Sequence, residues 1–407
     1  MTYFKISISN LKKIAYGILF LWILINNILS TCISFFNYFD ETIEIICIAY
    51  IILNITKVFN RSDCSKIILI LFIIIILGLL GNIIFKYQSS ITGITKDIFA
   101  FIKFPIISCA LLYRKNQTRF NDELALNIAY VISKVFVFFV GLLGIVSLFK
   151  DIGLSSDLRN GIYSYKFLFS HPTFLVASLV ITSTVLVAKN NSKDLPLVVL
   201  NLFTLILTMR DKAIGYVILF VIVIWIFPIF KIKKVKIRSF VLPTLLIFYE
   251  MKDKIVEYNN FSWSPRTALY FDGIDLMKKC FPFGSGFCTW GGSLTGEYYS
   301  SAYYLYDMEN RPGTSLHAFY DLGDAGIPYY YSNFGIIGFA LFIYLLIIIF
   351  KSAISLYNKV NYKTKAVILL IGYIIIALPF ENVLTNESGA TIALIMFIYL
   401  GKTYSTK

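Results

Sequence analysis

Most of the residues that could do chemistry on a polar substrate lie between positions 262 and 338 of this 407-residue chain. Ser264 suits a helix N-cap and Pro265 a first helical position. Arg266 then falls in the first turn of a short amphipathic helix that runs through Lys279 at a membrane surface. A guanidinium opposes the helix dipole at that end, but together with the first-turn N–H groups it makes a phosphate receptor; the alternative is an Arg held by solvent or lipid headgroups. Gly284 and Gly286, in Pro282-Phe283-Gly284-Ser285-Gly286, would let backbone approach a ligand closely. The third glycine of a dinucleotide fingerprint and the lysine of a P-loop are both missing, which excludes a nucleotide site. Tyr298, Tyr299, Tyr303, Tyr304 and Tyr306 precede Asp307 and Glu309, and rings beside carboxylates suit a sugar surface, with Tyr298 and Tyr303 as the candidate stacking residues. An interfacial aromatic belt is the competing reading. His317, Asp321 and Asp324 complete the set of candidate acids and bases. The two aspartates are spaced so that one helical turn places both on one face, where each perturbs the other.

Outside this stretch, Arg210-Asp211-Lys212 forms a very short polar break between two apolar runs. A charge pressed against hydrocarbon is costly, so Arg210 and Lys212 are candidates for an anion site, with an Arg210–Asp211 ion pair as the alternative. Lys103 and Lys134 lie within apolar runs and are read as snorkelling to the nearer membrane surface, and His171-Pro172 as a helix end.

The elements that must position these residues are membrane helices. The chain is 58% hydrophobic and 15% charged, with a mean hydropathy of +0.75, which excludes an ordinary soluble enzyme, a disordered chain and a disulfide-rich scaffold. Apolar runs near 14–36, 42–58, 67–86, 97–113, 127–149, 168–188, 195–209, 213–230, 239–251, 334–350, 365–380 and 388–402 predict an all-α, polytopic protein of about twelve spans in a single membrane domain, 1–407. One long connection, 252–333, is a large outer loop inserted between the ninth and tenth helices and holding short amphipathic helices. The N-terminal run lacks a small-residue cleavage site and is expected to be retained as an anchor.

The chain has 37 Lys and Arg against 23 Asp and Glu, a formal charge of +14. In a soluble protein such an excess would suggest nucleic acid. Here it sorts by connection: with both termini cytoplasmic, 22 basic residues fall inside and 13 outside, and the block Lys231 to Arg238 is the strongest anchor. The six cysteines have neither a CxxC nor a Cys/His ligand spacing, which excludes a zinc or iron–sulfur site; no cofactor is expected. Cys280 and Cys288 share the outer loop, where free thiols are favoured over a disulfide.

Taken together, the spans, the late outer loop, the Arg266 segment followed by Pro282 to Gly286, and an acid ahead of Phe334-Gly335-Ile336-Ile337-Gly338 resemble the bacterial O-antigen polymerase family, which shares a core with the O-antigen ligases. The resemblance implies an inverting, metal-independent glycosyltransferase in the bacterial inner membrane. It would move a growing glycan from undecaprenyl pyrophosphate onto the next lipid-linked repeat unit at the periplasmic face. It also implies that Arg210 and Arg266 clamp the donor pyrophosphate and that a base near the tenth helix activates the acceptor hydroxyl. The ligases carry a His–Asn pair at the position where this chain has Asp324-Ala325, which favours the polymerase and leaves the base open among Asp324, Asp321 and His317. The expected partners are the undecaprenyl-pyrophosphate-linked oligosaccharide and the bilayer, with a chain-length regulator left open and nucleic acid not expected. The rival readings are a ligase and a lipid-linked oligosaccharide flippase, the latter expected to line its central cavity with cations.

Overall fold

A computed structural model describes residues 8–117, 122–150, 152–159, 161–226, 264–357 and 361–400. The expected ninth run, 239–251, the basic block Lys231 to Arg238 and the start of the outer loop lie outside the described residues. The chain is mostly helical. In chain order the helices are α1 Ile8–Cys32, α2 Phe39–Leu53, α3 Ile55–Phe59, α4 Ser62–Phe85, α5 Ile91–Gln117, α6 Asp122–Phe149, α7 Pro172–Lys189, α8 Leu195–Leu207 and α9 Asp211–Val221. After the break come α10 Pro265–Lys279, α11 Leu294–Glu297, α12 Gly326–Ser355, α13 Tyr362–Ala377 and α14 Glu387–Leu394. The all-α expectation misses one feature, an antiparallel hairpin of β1 Ser155–Arg159 and β2 Ile162–Tyr165. An eleven-residue stretch that follows Gly153 and carries Gly161 at positive φ turns back too tightly for a helix.

Among the described residues, five helices are long and apolar enough to cross a membrane: Asn10–Cys32, Ser62–Phe85, Glu123–Phe149, Pro172–Lys189 and Gly326–Ser355. Where they face outward they expose rows of large apolar side chains, such as Leu69, Phe72, Ile76 and Ile83 of α4 and Val131, Phe138 and Leu142 of α6. Apolar faces of that extent belong in lipid. α7 is the central element, its apolar stretch 78% buried, and it packs on α13 and α6, while α4 packs on α12. The connections that the basic-residue count puts on one side are tied to each other. Ser301 N–H donates to Tyr87 O (2.9 Å), Gln88 donates to Cys288 O and Tyr298 O, and the Tyr270 hydroxyl donates to Pro379 O. On the opposite side, Glu123 receives both Lys189 and Lys363.

The tenth span begins earlier than its apolar run. α12 starts at Gly326 and is broken at Gly335, whose φ of 66° and ψ of −178° split it into two helical pieces, so helix begins inside the stretch 252–333 expected to be an outer loop. The break turns the Ser332 and Asn333 carbonyls away from their usual partners, and the Phe281–Phe287 turn supplies replacements. Ser285 N–H donates to Ser332 O and Gly286 N–H to Asn333 O, both at 2.9 Å. Asn333 and Asn82 fasten the same turn from either side, Asn333 exchanging hydrogen bonds with the Trp290 backbone and Asn82 with that of Phe287.

Candidate functional site

The described part of the long connection, 264–325, folds on a small core of its own, built around Leu269, Leu276, Trp290, Tyr303, Met308 and Leu322. Several residues that the sequence marks as ligand contacts belong to this scaffold. Gly284 and Gly286 are buried and sit at φ of 81° and 100°. A Cβ on Gly284 would come 2.3 Å from Gly335 N, and one on Gly286 would come 2.5 Å from Asn82 N. The close approach these glycines permit is therefore to backbone, not to a ligand. Tyr303 is likewise a core residue: it is fully buried, packs its ring against Trp290 with centroids 4.9 Å apart, and its hydroxyl accepts from Gly291 N–H at 3.0 Å. Tyr298 stays half-buried, with the Lys96 ammonium 5.0 Å from its ring centre. Cys280 and Cys288 are both buried free thiols.

Arg266 does occupy the first turn of α10, with Ser264 at the N-cap and Pro265 leading the helix. Its guanidinium embraces Asp324: Nε donates to the Asp324 carbonyl at 3.0 Å and Nη2 to the Asp324 carboxylate at 2.9 Å. Two residues 58 positions apart are thereby joined. Asp321 stands one turn back, Asp324 N–H donating to its carbonyl at 3.0 Å. Burial and then the Asp324 charge push the Asp321 carboxyl above its usual range. His317 lies at an exposed turn between Ser315 and Ala318.

The short break before α9 supplies two further cations. Arg210 pairs at 3.0 Å with Asp157 of the hairpin rather than with Asp211, and its Nε is buried without a hydrogen-bond partner. Burial alone would raise the Asp157 carboxyl. Hydrogen bonds from Ser156 and Arg159 and the Arg210 charge outweigh that and hold it well below the carboxylate range. His171 caps α7, its Nδ1 accepting from Thr173 N–H, and burial followed by the Arg210 charge pushes it down to about 4, so it is neutral near pH 7. Lys212 pairs with Glu381 at 2.6 Å and lies within Coulombic reach of both Arg210 and Asp324. Arg210, Lys212 and Arg266 are thus drawn into one neighbourhood, each held by a carboxylate.

Two of those carboxylates, Asp324 and Glu381, border a cavity of about 990 Å³. Asp324 and Glu381 are in its wall, with Asp40, Glu41 and Glu44 of α2, Asp97 and Lys103 of α5, and Glu387 of α14; Asn27, Asn37, Asn382 and Asn386 add amides. Asp321 and His317 are not part of that wall. Lys103 does not snorkel: it is 3% exposed and donates to Asp40. The sequence contained a signal for this acid cluster, since Asp40, Glu41 and Glu44 interrupt an apolar run at spacings that share a helix face. Charge compensation by a residue 63 positions away was not visible in it. No protein-family model matches the chain, and no curated protein matches it either.

The Lys212–Glu381 pair carries a stability prediction. Lys212 is 5% exposed, so Lys212→Met leaves the Glu381 carboxylate without its counter-ion and is expected to cost about 3–5 kcal/mol. The double variant Lys212→Met/Glu381→Leu should regain most of that. Denaturant unfolding of the purified protein in detergent measures both, and equal stability of the two variants would show that the pair is not coupled.

Proposed function

We propose that this membrane protein is a glycosyltransferase of the O-antigen polymerase type, acting on polyprenyl-pyrophosphate-linked donors at the face where the large loop lies. The observation that carries the reading is Arg266 paired with Asp324 on the wall of a cavity rich in carboxylates and amides. Such walls suit the hydroxyls of a glycan, and the three cations behind them suit a pyrophosphate with no metal to neutralise it.

In this mechanism the donor pyrophosphate displaces Asp324 from Arg266 and meets Arg210 through its unpartnered Nε and Lys212 beside it. The freed Asp324 carboxylate takes the proton of the acceptor hydroxyl. That oxygen attacks the anomeric carbon from the face opposite the leaving group, the bond to the pyrophosphate oxygen breaks, and undecaprenyl pyrophosphate departs with inversion. Asp324 is preferred as the base because it borders the cavity, whereas Asp321 stands behind it and His317 lies on an exposed turn. A flippase is disfavoured because the acids of the cavity wall, rather than cations, predominate. A twelve-span topology with cytoplasmic termini, in an inner membrane, belongs to the same proposal.

The test is the glycan ladder on lipopolysaccharide from cells with and without the protein. Loss of the ladder with one repeat unit still attached to lipid A-core is the expected result, since flipping and ligation must then both work. Loss of every repeat, with lipid-linked units accumulating, would replace this reading by a ligase or a flippase.

A further inference from the structure

Four carboxylates meet one ammonium in the part of the cavity bounded by α2, α5 and α14. Lys103 donates to Asp40 and lies 3.5 Å from Glu41. Glu387 accepts from Asn26, which in turn accepts from Trp22 at 2.8 Å. Glu44 is 1% exposed, and neither of its carboxylate oxygens has a hydrogen-bond partner; one oxygen of Glu41 is in the same state. The charged groups around Glu44 are Asp40, Glu41 and Lys103, and Asp40 and Lys103 also act on Glu387. One ammonium already bonded to Asp40 cannot balance the other three acids. A buried carboxylate without compensation is strongly unfavourable, so it takes up a proton or a positive ligand.

The shape of the cluster narrows the ligand. Among the described residues, no group of three or more His, Cys, Asp or Glu converges as a metal cage would require. A singly charged group needs fewer anionic contacts, and the cavity adds the hydroxyl of Ser30 and the amides of Asn37 and Asn386. We propose that the Glu44 end of the cavity binds a monovalent cation, either an alkali metal ion or the ammonium of an amino sugar, in exchange for a proton carried by Glu44. The proton leaves to solvent as the cation enters, so the charge of the cluster is unchanged. This site stands on the buried cluster and does not depend on the glycosyl-transfer reading.

The experiment uses the purified full-length protein in detergent at constant ionic strength, with choline chloride as the balancing salt. Thermal unfolding is followed while NaCl, KCl or glucosamine hydrochloride replaces choline, with N-acetylglucosamine as the uncharged control. A saturable rise in melting temperature is expected with the alkali ions or with glucosamine, and which of them acts identifies the source of the cation. The same addition should release protons into a weakly buffered solution, a readout that needs no variant. Glu44→Gln should weaken the response by about tenfold or more, while melting no lower than the parent in choline because the neutral amide carries no buried charge. No rise in melting temperature when any of these cations replaces choline, absence of proton release, or an undiminished response of Glu44→Gln would each overturn the site. None of these readouts needs polymer to be made, so failure of the site and failure of the polymerase reading are told apart.

Discussion

Arg266→Ala is expected to abolish long-chain polymer, lowering turnover by about two to three orders of magnitude, with the protein still present in the membrane. The guanidinium presents Nε and Nη2 together to Asp324, and that paired edge is what a pyrophosphate would take over. Arg266→Lys keeps the charge but loses the edge, so it should restore little. The side chain is partly exposed, at 26%, so its loss leaves no buried charge and should cost little stability. Glycan ladders with membrane protein levels from the same cells give both readings at once. A full ladder from the alanine variant would remove Arg266 from the mechanism. Asp324→Asn should also stop polymer, because the amide accepts no proton, whereas His317→Ala should leave the ladder intact.

The second large effect is on folding. Gly284→Ala is expected to cost about 4 kcal/mol or more, enough to lose most of the folded protein. The methyl group would lie 2.3 Å from Gly335 N and 2.5 Å from Asn333 O. Both are backbone atoms, and no side-chain rotation relieves the contact. The φ of 81° adds a further penalty for any L residue with a Cβ. If Gly284 only lined a ligand path, the alanine variant would fold normally and lose substrate affinity. Yield and melting temperature of the purified variant decide between a turn wedged into the α12 break and a ligand-facing loop.

How far the site was legible from the chain differs by residue. Arg266 was legible because a Ser–Pro pair just ahead of it is a local helix-start signal, and helix starts are decided by neighbours in sequence. Arg210 and Lys212 were legible as charges out of place in an apolar context, but Asp157, which holds Arg210, lies on a hairpin that hydropathy does not detect. Gly284 and Gly286 were marked correctly as positions of close approach. What approaches them is another part of the same chain, and residue type alone does not distinguish a ligand from backbone. Tyr303 belonged to a tyrosine run whose members diverge in fate, for Tyr304 is 53% exposed and Tyr303 fully buried. In so irregular a stretch, side-chain direction follows from packing rather than from a fixed period.

By itself, then, the sequence determined a helical protein with helices fit for a bilayer and the local start of α10. These depend on composition and on interactions between near neighbours, which act whatever the rest of the chain does. The tertiary structure alone decided which charges pair: Arg266 with Asp324, Arg210 with Asp157, Lys212 with Glu381 and Lys103 with Asp40. It also decided that α12 breaks at Gly335 to receive the Phe281–Phe287 turn. Buried charges and freed carbonyls must find partners, and those partners are set by which helices pack together, over separations of tens to hundreds of residues that no local pattern encodes.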